Sequence, residues 1–221
     1  MITAADYASV HRAMLDGTAA RTVPRWTSGV LDEIAQHRSR VTGVRHPLGF
    51  VCLPVHRSGQ KGVCVHVWSD RFPRESPTTS AVHAHSWDLL SHVLYGSVRN
   101  DVIDVTDAPD DGAYRVFEIR SEGDLDEVRR TARLVRYAVT AAEVHRQGDS
   151  YSLPAGVFHA TGVRGEAATV ALGSGRPGML DLSLGELGCE THQIRRQCCD
   201  SEETAHAARV VTDELARIRH S

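Results

Sequence analysis

Hydrophobic and polar residues alternate with two different periodicities along this chain. Apolar residues recur at helical spacing near both ends, whereas residues 45–176 contain about ten short apolar or alternating runs separated by turn residues. Such runs at near-regular spacing are typical of an antiparallel sandwich or barrel. The charged stretch 121–133 predicts an exposed loop or helical turn. The pattern therefore predicts one all-β domain with helical arms: residues 1–44 form the N-terminal helical arm, 45–180 the barrel, and 181–221 the C-terminal tail and helix.

Helix boundary signals support both arms. The stretch AADYASVHRAML runs up to Gly17, a natural helix stop. TSGVLDEIAQHR places its apolar residues on one face, with Thr27 or Ser28 as the predicted cap. Near the other end of the chain, Asp200 and Glu203 have the spacing of a capping box, which predicts a helix that starts there.

The stretch GDSYSLPAGVFHATGV, residues 148–163, has strand-like flanks around a proline and a glycine. Proline fixes its own φ and glycine tolerates positive φ, so Pro154 and Gly156 predict a tight turn. The segment is predicted to be strand, sharp turn and strand, and His159 follows the turn directly.

Composition limits the classes of function. Apolar residues make up 41% of the chain, charged residues 24% and aromatic residues 5%, and the formal net charge is −3. This balance predicts a soluble globular protein without a nucleic-acid or membrane partner. Asp6 and the lack of an apolar run near the start argue against a secretory signal, and five cysteines are then typical of a reducing compartment. A cytoplasmic location and a small-molecule substrate are the resulting expectations.

Histidine is the abundant candidate ligand, with 13 residues in the chain. His83 and His85 are two residues apart, so on a strand both side chains leave the same face and can chelate one metal ion. Two imidazoles alone hold a metal weakly, and His159 after its turn is the predicted third ligand. An exposed or purely structural pair is the alternative interpretation.

The segment that contains His83 and His85 resembles the first motif of the cupin superfamily, G-x5-H-x-H-x3,4-E-x6-G. His83 and His85 occupy the two histidine positions, and Gly96 occupies the final glycine. Pro77 stands where the motif begins with glycine, so the match there is incomplete.

The segment 148–163 resembles the second cupin motif, G-x5-P-x-G-x2-H-x3-N. Gly148, Pro154, Gly156 and His159 match it without a gap, and Val163 replaces the final asparagine. The resemblance implies a cupin-type double-stranded β-helix, a jelly-roll barrel with a metal inside. It also implies that His83, His85 and His159 are the metal ligands.

The glutamate position of the first motif falls on Leu89, which leaves a site of three histidines. In this respect the chain is partly similar to the cysteine dioxygenase branch of the cupins, the thiol dioxygenases. The similarity is limited, because the arginine and the Ser-His-Tyr set of that branch have no counterpart at the matching places.

Three neutral imidazoles leave the double charge of a metal ion uncompensated, which favours an anionic, amino-acid-like or thiol substrate. Iron(II) suits imidazole ligands with open positions, and zinc, nickel and copper are the alternatives. The leading hypothesis is a mononuclear iron dioxygenase-type oxidoreductase. The alternatives are a non-oxidative isomerase, lyase or condensing enzyme with the metal as Lewis acid, and a cupin that only binds a small ligand.

Other side chains are candidates for supporting roles. His66, Tyr95 and Tyr151 are the predicted catalytic residues beside the metal, with packing roles as their alternatives. Asp88 is predicted to cap a turn rather than to bind the metal, and His92 is predicted to face solvent, because it is out of phase with the residues that line the barrel.

Two larger sets stay undecided at this stage. Four arginines are candidates to bind a substrate carboxylate: Arg133, Arg136, Arg164 and Arg176. The residues Cys189, His192, Cys198 and Cys199 have a poor spacing for zinc and are interpreted as a histidine among free thiols. A small barrel with an open sheet edge leaves a homodimer as an alternative to a monomer.

Overall fold

Two antiparallel β-sheets and three helices make up the computed structural model, which describes residues 4–220. The helices are α1 (Ala4–Leu15), α2 (Ala19–Ala35) and α3 (Ser201–Arg219). The strands are β1 (Val44–His46), β2 (Phe50–Ser58), β3 (Lys61–Trp68), β4 (His83–Ala84), β5 (Trp87–Tyr95), β6 (Ser97–Asp107), β7 (Tyr114–Glu122), β8 (Leu125–Arg146), β9 (Ser150–Leu153), β10 (Phe158–Val163), β11 (Ala167–Gly175), β12 (Asp181–Gly185), β13 (His192–Arg195) and β14 (Gln197–Cys198).

The order of strands explains how the barrel closes. The first sheet runs β14-β1-β2-β3-β11-β5-β9, and the second runs β13-β8-β6-β10-β4-β12-β7. Because β7 also pairs with β8, six strands of the second sheet form a closed ring. The predicted all-β jelly-roll core with helical extensions is confirmed. The strands continue to Cys198, however, so β12, β13 and β14 lie beyond residue 180, where the barrel was predicted to end.

The charged stretch 121–133 is the clearest error of the sequence prediction. It belongs to a β-hairpin in which β7 and β8 meet at Gly123, whose φ is +60°. Its charges remain compatible with a strand because they lie on accessible positions and pair with neighbours, as Asp126 does with Arg196 at 2.6 Å. A run of charged residues was therefore not sufficient evidence for a loop.

Helix α2 starts earlier than its cap signal indicated. It begins at Ala19 and contains Pro24, whereas Thr27 and Ser28, the predicted caps, are buried inside the helix. The buried face of α2 includes Val23, which precedes the predicted caps. Packing of this face therefore extends the helix toward the N-terminus. Tertiary packing overrides the local boundary signal.

Helix α3 begins as predicted. The Asp200 side chain accepts a hydrogen bond from the backbone N–H of Glu203 at 2.8 Å, and the Glu203 side chain accepts one from the backbone N–H of Asp200 at 3.1 Å. This reciprocal pair is a capping box, and it satisfies two amides that the helix itself leaves free. Among the described helices, none combines the length and the hydropathy that a membrane crossing requires.

Strands β4 and β10 separate two environments. One face contributes to an apolar cluster that draws residues from, or directly beside, each of the six strands of the ring: Val82, Ala84, Ile103, Val116, Val135, Phe158 and Leu184. Side chains alternate between the two faces of a strand, so His83 and His159 point the other way. The fold thereby puts histidines on one face of two strands whose other face is hydrophobic core.

Candidate metal centre

Direct strand pairing brings two of the three predicted ligands together. In the register of β4 with β10, His83 lies opposite His159, and His85 follows β4 immediately. Opposite residues of an antiparallel pair have their Cβ atoms about 4.5–5.5 Å apart, so the imidazoles meet. The ring centroids are 4.3 Å apart for His83 and His159, 4.8 Å for His83 and His85, and 5.0 Å for His85 and His159.

The turn before β10 is tied to the His85 segment. Gly156, whose φ is +79°, donates its backbone N–H to the carbonyl of His85 at 2.8 Å. Ala155 donates its backbone N–H to Asp88 at 3.0 Å, and Asp88 also accepts from Arg176 at 2.6 Å. The prediction that Asp88 caps a turn is confirmed, and the turn holds His85 in a fixed position relative to β10.

Backbone carbonyls fix the tautomers of two ligands. The Nδ1 atom of His83 lies 2.9 Å from the carbonyl of Ala81, and Nδ1 of His159 lies 3.1 Å from the carbonyl of Val157. A carbonyl can only accept, so in each ring Nδ1 donates a proton and Nε2 keeps its free lone pair. Metal-binding histidines almost always orient their rings by such a hydrogen bond.

All three imidazoles are held neutral. Burial lowers the pKa of His83 to about 3, with the neighbouring His159 as a smaller cause. Burial and then His83 lower the pKa of His85 well below its ordinary value, and burial lowers the pKa of His159. Only the neutral ring can donate a lone pair to a metal, so these shifts keep the cluster ready to bind one near neutral pH.

The donor atoms of His83, His85 and His159 lie within 4.8 Å of one another. A tetrahedral ion bound at zinc–imidazole distances separates its ligand nitrogens by about 3.4 Å, so a modest contraction is sufficient. The predicted convergence of the three histidines is confirmed. The two motif-bearing segments meet as the resemblance to cupins implied, and their donor set suits a divalent metal.

The position of the missing glutamate lies in an apolar part of the barrel. Leu89 is buried in a cluster with Leu153 and Ala171, and it pairs with Leu153 across β5 and β9. Trp87, two residues earlier, stacks on His85 with ring centroids 4.2 Å apart. The wall beside the histidines is thus aromatic and aliphatic at this point, with leucine where the motif has a carboxylate.

The two predicted catalytic tyrosines occupy different places. Tyr95 belongs to the hydrophobic core under the helices, and burial raises its pKa, with Glu166 and then Glu214 of α3 as smaller causes. Its hydroxyl therefore faces the helical side, and a catalytic role has no support in this position. Tyr151 packs beside Leu89 and Leu153; burial raises its pKa.

His66 lies in a second group of donor atoms. Its ring contacts Phe50 at a centroid distance of 4.5 Å, and its donor nitrogen lies within 4.8 Å of the sulfur atoms of Cys52 and Cys64. A hydrogen bond between the two cysteines raises the pKa of Cys52 and lowers that of Cys64. Alternation along β3 places Cys64 and His66 on one strand face, whereas Cys52 comes from the neighbouring strand β2.

His92 is buried, contrary to the prediction that it faces solvent. Its side chain points away from the barrel interior as its phase required, but helix α2 covers that face of the sheet, and Ala20 and Pro24 line the space beside it. Its Nδ1 atom is 2.9 Å from Ser150 Oγ, and its Nε2 atom has no hydrogen-bond partner among the residues that the structure describes. Burial lowers the pKa of His92 to about 4.

His46 was missed by the sequence analysis. Its Nδ1 atom accepts the backbone N–H of Leu48 at 3.2 Å, so Nε2 carries the proton of the neutral ring. The ring stacks on Phe50 with centroids 4.3 Å apart, and burial lowers its pKa to about 3. It is close enough to act electrostatically on His83 and His85. An isolated histidine at the end of β1 has no spacing signal, so only the fold reveals it.

Most of the candidate arginines are engaged elsewhere. Three of the four form ion pairs with aspartates: Arg133–Asp107, Arg136–Asp111 and Arg176–Asp88. Arg196, which the sequence did not single out, pairs with Asp126 and is one of the charges that lower the pKa of His46. Its positive charge thus acts on His46, which in turn acts on His83 and His85.

The C-terminal cysteines do not assemble into a further site in the part of the chain that the structure describes. Cys199 is buried in the helix-facing core, Cys198 is exposed, and His192 interacts with Thr78 at 2.6 Å. None of these residues belongs to a group of three metal-ligand side chains among the described residues. The three cysteines, Cys189, Cys198 and Cys199, are free thiols, as predicted.

Comparison of the sequence with protein families and with curated proteins finds no match. Solved structures similar to this chain include a cupin superfamily protein from Desulfitobacterium hafniense, which is 12% identical over 57% of this chain and 78% of that chain, with a TM-score of 0.33. An RmlC-like cupin from Shewanella frigidimarina is 13% identical over 63% of this chain and 87% of that chain, with a TM-score of 0.37. A hydroquinone 1,2-dioxygenase from Sphingomonas sp. TTNP3 is 14% identical over 55% and 63%, with a TM-score of 0.32.

Proposed function

We propose that the protein is an enzyme that holds one divalent metal ion, iron(II), with His83, His85 and His159 and oxidises a small anionic substrate beside it. The observation that carries this proposal is the convergence of three neutral imidazoles, two of them locked by backbone carbonyls with Nε2 free. Bound there, iron(II) supplies the redox chemistry that dioxygen activation requires.

The protein contributes orientation and charge. The fixed rings keep the three donor nitrogens aimed at one point, which lowers the cost of assembling the site. Because the cluster of His83, His85 and His159 contains no carboxylate, the double charge of the ion stays available to attract an anion. An amino-acid-like or thiol acid substrate fits this requirement.

Two further residues support an anionic substrate. His46 carries its proton on Nε2, and burial keeps the ring neutral, so it can donate one hydrogen bond without adding a charge. Arg196 contributes positive potential from the Asp126 pair. Roles for His66 and Tyr151 in catalysis remain predictions; both residues lie on strands of the first sheet, β3 and β9.

The test begins with protein purified without oxygen. Metal analysis is followed by oxygen uptake on a panel of amino acids and thiol acids, with His159→Ala as the inactive variant and His192→Ala, a half-buried histidine outside the cluster, as the matched control. Iron content with substrate-dependent oxygen uptake that only His159→Ala abolishes supports the proposal. Turnover without oxygen in a zinc-loaded protein would instead support Lewis-acid chemistry, and ligand binding without turnover would support a sensor.

The Leu89 position offers a sharper test of the charge argument. Leu89→Glu gives the ion a carboxylate ligand, so the metal should protect this variant from thermal unfolding more than it protects the wild type. Anion affinity should fall, because one charge of the ion is neutralised. Leu153→Glu, from the same apolar cluster, is the control for simple burial of a carboxylate. Equal metal protection of Leu89→Glu and wild type would mean that Leu89 is not beside the metal.

A further inference from the structure

The hairpin of β2 and β3 presents a second set of metal-ligand side chains. In its register Cys52 lies directly opposite His66, and Cys64 precedes His66 by two residues on the same strand. All three side chains therefore leave the same face of the sheet. The residues between them, such as Val63 and Val65, pack in the core under the helices, so the three donors point to the opposite face.

The distances are close to those of a metal site. The two sulfur atoms and the imidazole nitrogen lie within 4.8 Å of one another. Tetrahedral zinc, with sulfur at 2.3 Å, separates two thiolates by about 3.8 Å, so ligand closure requires shifts of about 1 Å. Both cysteines are free thiols and only partly buried, so an ion has access to them.

We propose that Cys52, Cys64 and His66 form a second metal centre, which binds zinc(II) and keeps one coordination position open. Thiolate ligands select zinc over iron(II), whereas three imidazoles have no such preference. Two thiolates also neutralise the double charge of zinc, and the binding reaction releases the protons that the thiols still carry. The two centres would thus differ in metal preference because their ligands differ: thiolates favour zinc(II) in this centre, and imidazoles accept iron(II) in the three-histidine centre.

A nearby cation favours the anionic form of this ligand set. The guanidinium of Arg57 approaches the sulfur of Cys64, with Nη2 at 4.0 Å. The main competing fate is a disulfide between Cys52 and Cys64, which would need an external oxidant. The experiment therefore uses reduced protein and counts free thiols before metal is added.

The test is a cobalt(II) titration of metal-free, phosphine-reduced protein under anaerobic conditions. Cobalt(II) replaces zinc and gives a sulfur-to-metal charge-transfer absorption only where a thiolate is a ligand. We expect two bound equivalents in the wild type and this absorption from one of them. Cys52→Ser and Cys64→Ser should each lower the absorption and weaken that equivalent by at least about 100-fold, more than the loss of an outer-shell contact, and the double variant should abolish the absorption.

Two controls separate this centre from the three-histidine centre. Cys198→Ser, which removes an exposed thiol, should leave the titration unchanged. The variant His83→Ala with His159→Ala should lose the other equivalent and keep the charge-transfer absorption, so the two proposals fail independently.

Three results would overturn the inference. These are a wild type without the absorption, an absorption that survives in the Cys52→Ser and Cys64→Ser double variant, and a Cys52–Cys64 disulfide that persists after phosphine treatment. Alkylation of wild type provides a check that needs no variant to fold. Zinc should protect Cys52 and Cys64 from iodoacetamide at least about tenfold, and equal labelling with and without zinc would contradict the proposal.

Discussion

Phe158 and His159 are neighbours in β10, yet they serve opposite faces of the same strand. Phe158 is 7% exposed and belongs to the apolar cluster of the closed ring, whereas His159 is 2% exposed and faces His83. Both residues are buried, so burial does not distinguish them. The difference lies in their partners: Phe158 has apolar neighbours, and His159 has two other imidazoles, a group whose donor atoms suit a metal ion. One face of the strand contributes to the hydrophobic core, and the other carries the proposed metal ligand.

The largest effect should come from the histidine face. His159→Ala removes a ligand that the other two cannot replace, so metal affinity should fall by at least about 100-fold and activity should be nearly lost. The variant His83→Ala with His159→Ala should be little worse, because ligands that act as one unit do not contribute additively. Metal content by elemental analysis and the midpoint of thermal unfolding are the two readouts. Full metal occupancy in His159→Ala would show that His159 is not a ligand.

Phe158→Ala should produce the opposite profile. Truncation of a buried phenylalanine costs about 3–5 kcal/mol of unfolding free energy, because apolar contacts are lost and a cavity remains. Metal stoichiometry of the folded fraction should stay at the wild-type value. Urea unfolding and metal analysis on the same samples test this, with Phe158→Leu as the milder control. A stable variant that fails to bind metal would mean that the two faces are not independent.

The two faces differ in how much of them could be predicted from sequence. The spacing of His83 and His85 and the turn before His159 are local features of the sequence, so the convergence of the three histidines was predictable. His46 and Arg196 were not, because their approach depends on pairing between strands far apart in the chain. The burial of His92 was missed for a related reason: its phase was correct, but sequence did not show that α2 covers the outer face of the first sheet.

A buried histidine outside both faces gives a third comparison, through pH. The folded pKa of His92 is about 4, against an ordinary value of 6.5, so the unfolded chain binds the extra proton first as pH falls. Stability is therefore present above pH 6.5 and is lost on acidification from there to about pH 4, by about 3 kcal/mol from this residue. His92→Leu should flatten that part of the stability curve, while His220→Asn, an exposed control, should not. An unchanged acid limb in His92→Leu would contradict the assignment.

The smallest expected effect concerns the turn that positions His85. Asp88→Ala removes the acceptor of the Ala155 amide and the partner of Arg176. Since Asp88 is partly exposed, stability should fall by only about 1 kcal/mol. Metal affinity should decrease slightly, because the turn then fixes the ligands less firmly. Arg176→Ala, which leaves the Ala155 hydrogen bond intact, is the control, and should affect metal affinity less than Asp88→Ala does.

The pairing of His83 with His159 also has a consequence for the order of folding. These residues are separated by roughly a third of the chain, so their strands can pair only after a long loop has closed. Contacts of this kind form late on a folding pathway, whereas the β2–β3 hairpin is local and can form early. A nascent chain consequently has no complete three-histidine centre until the barrel is closed. We expect the metal to enter a protein that is already folded, and the refolding rate of the metal-free chain to be unaffected by iron.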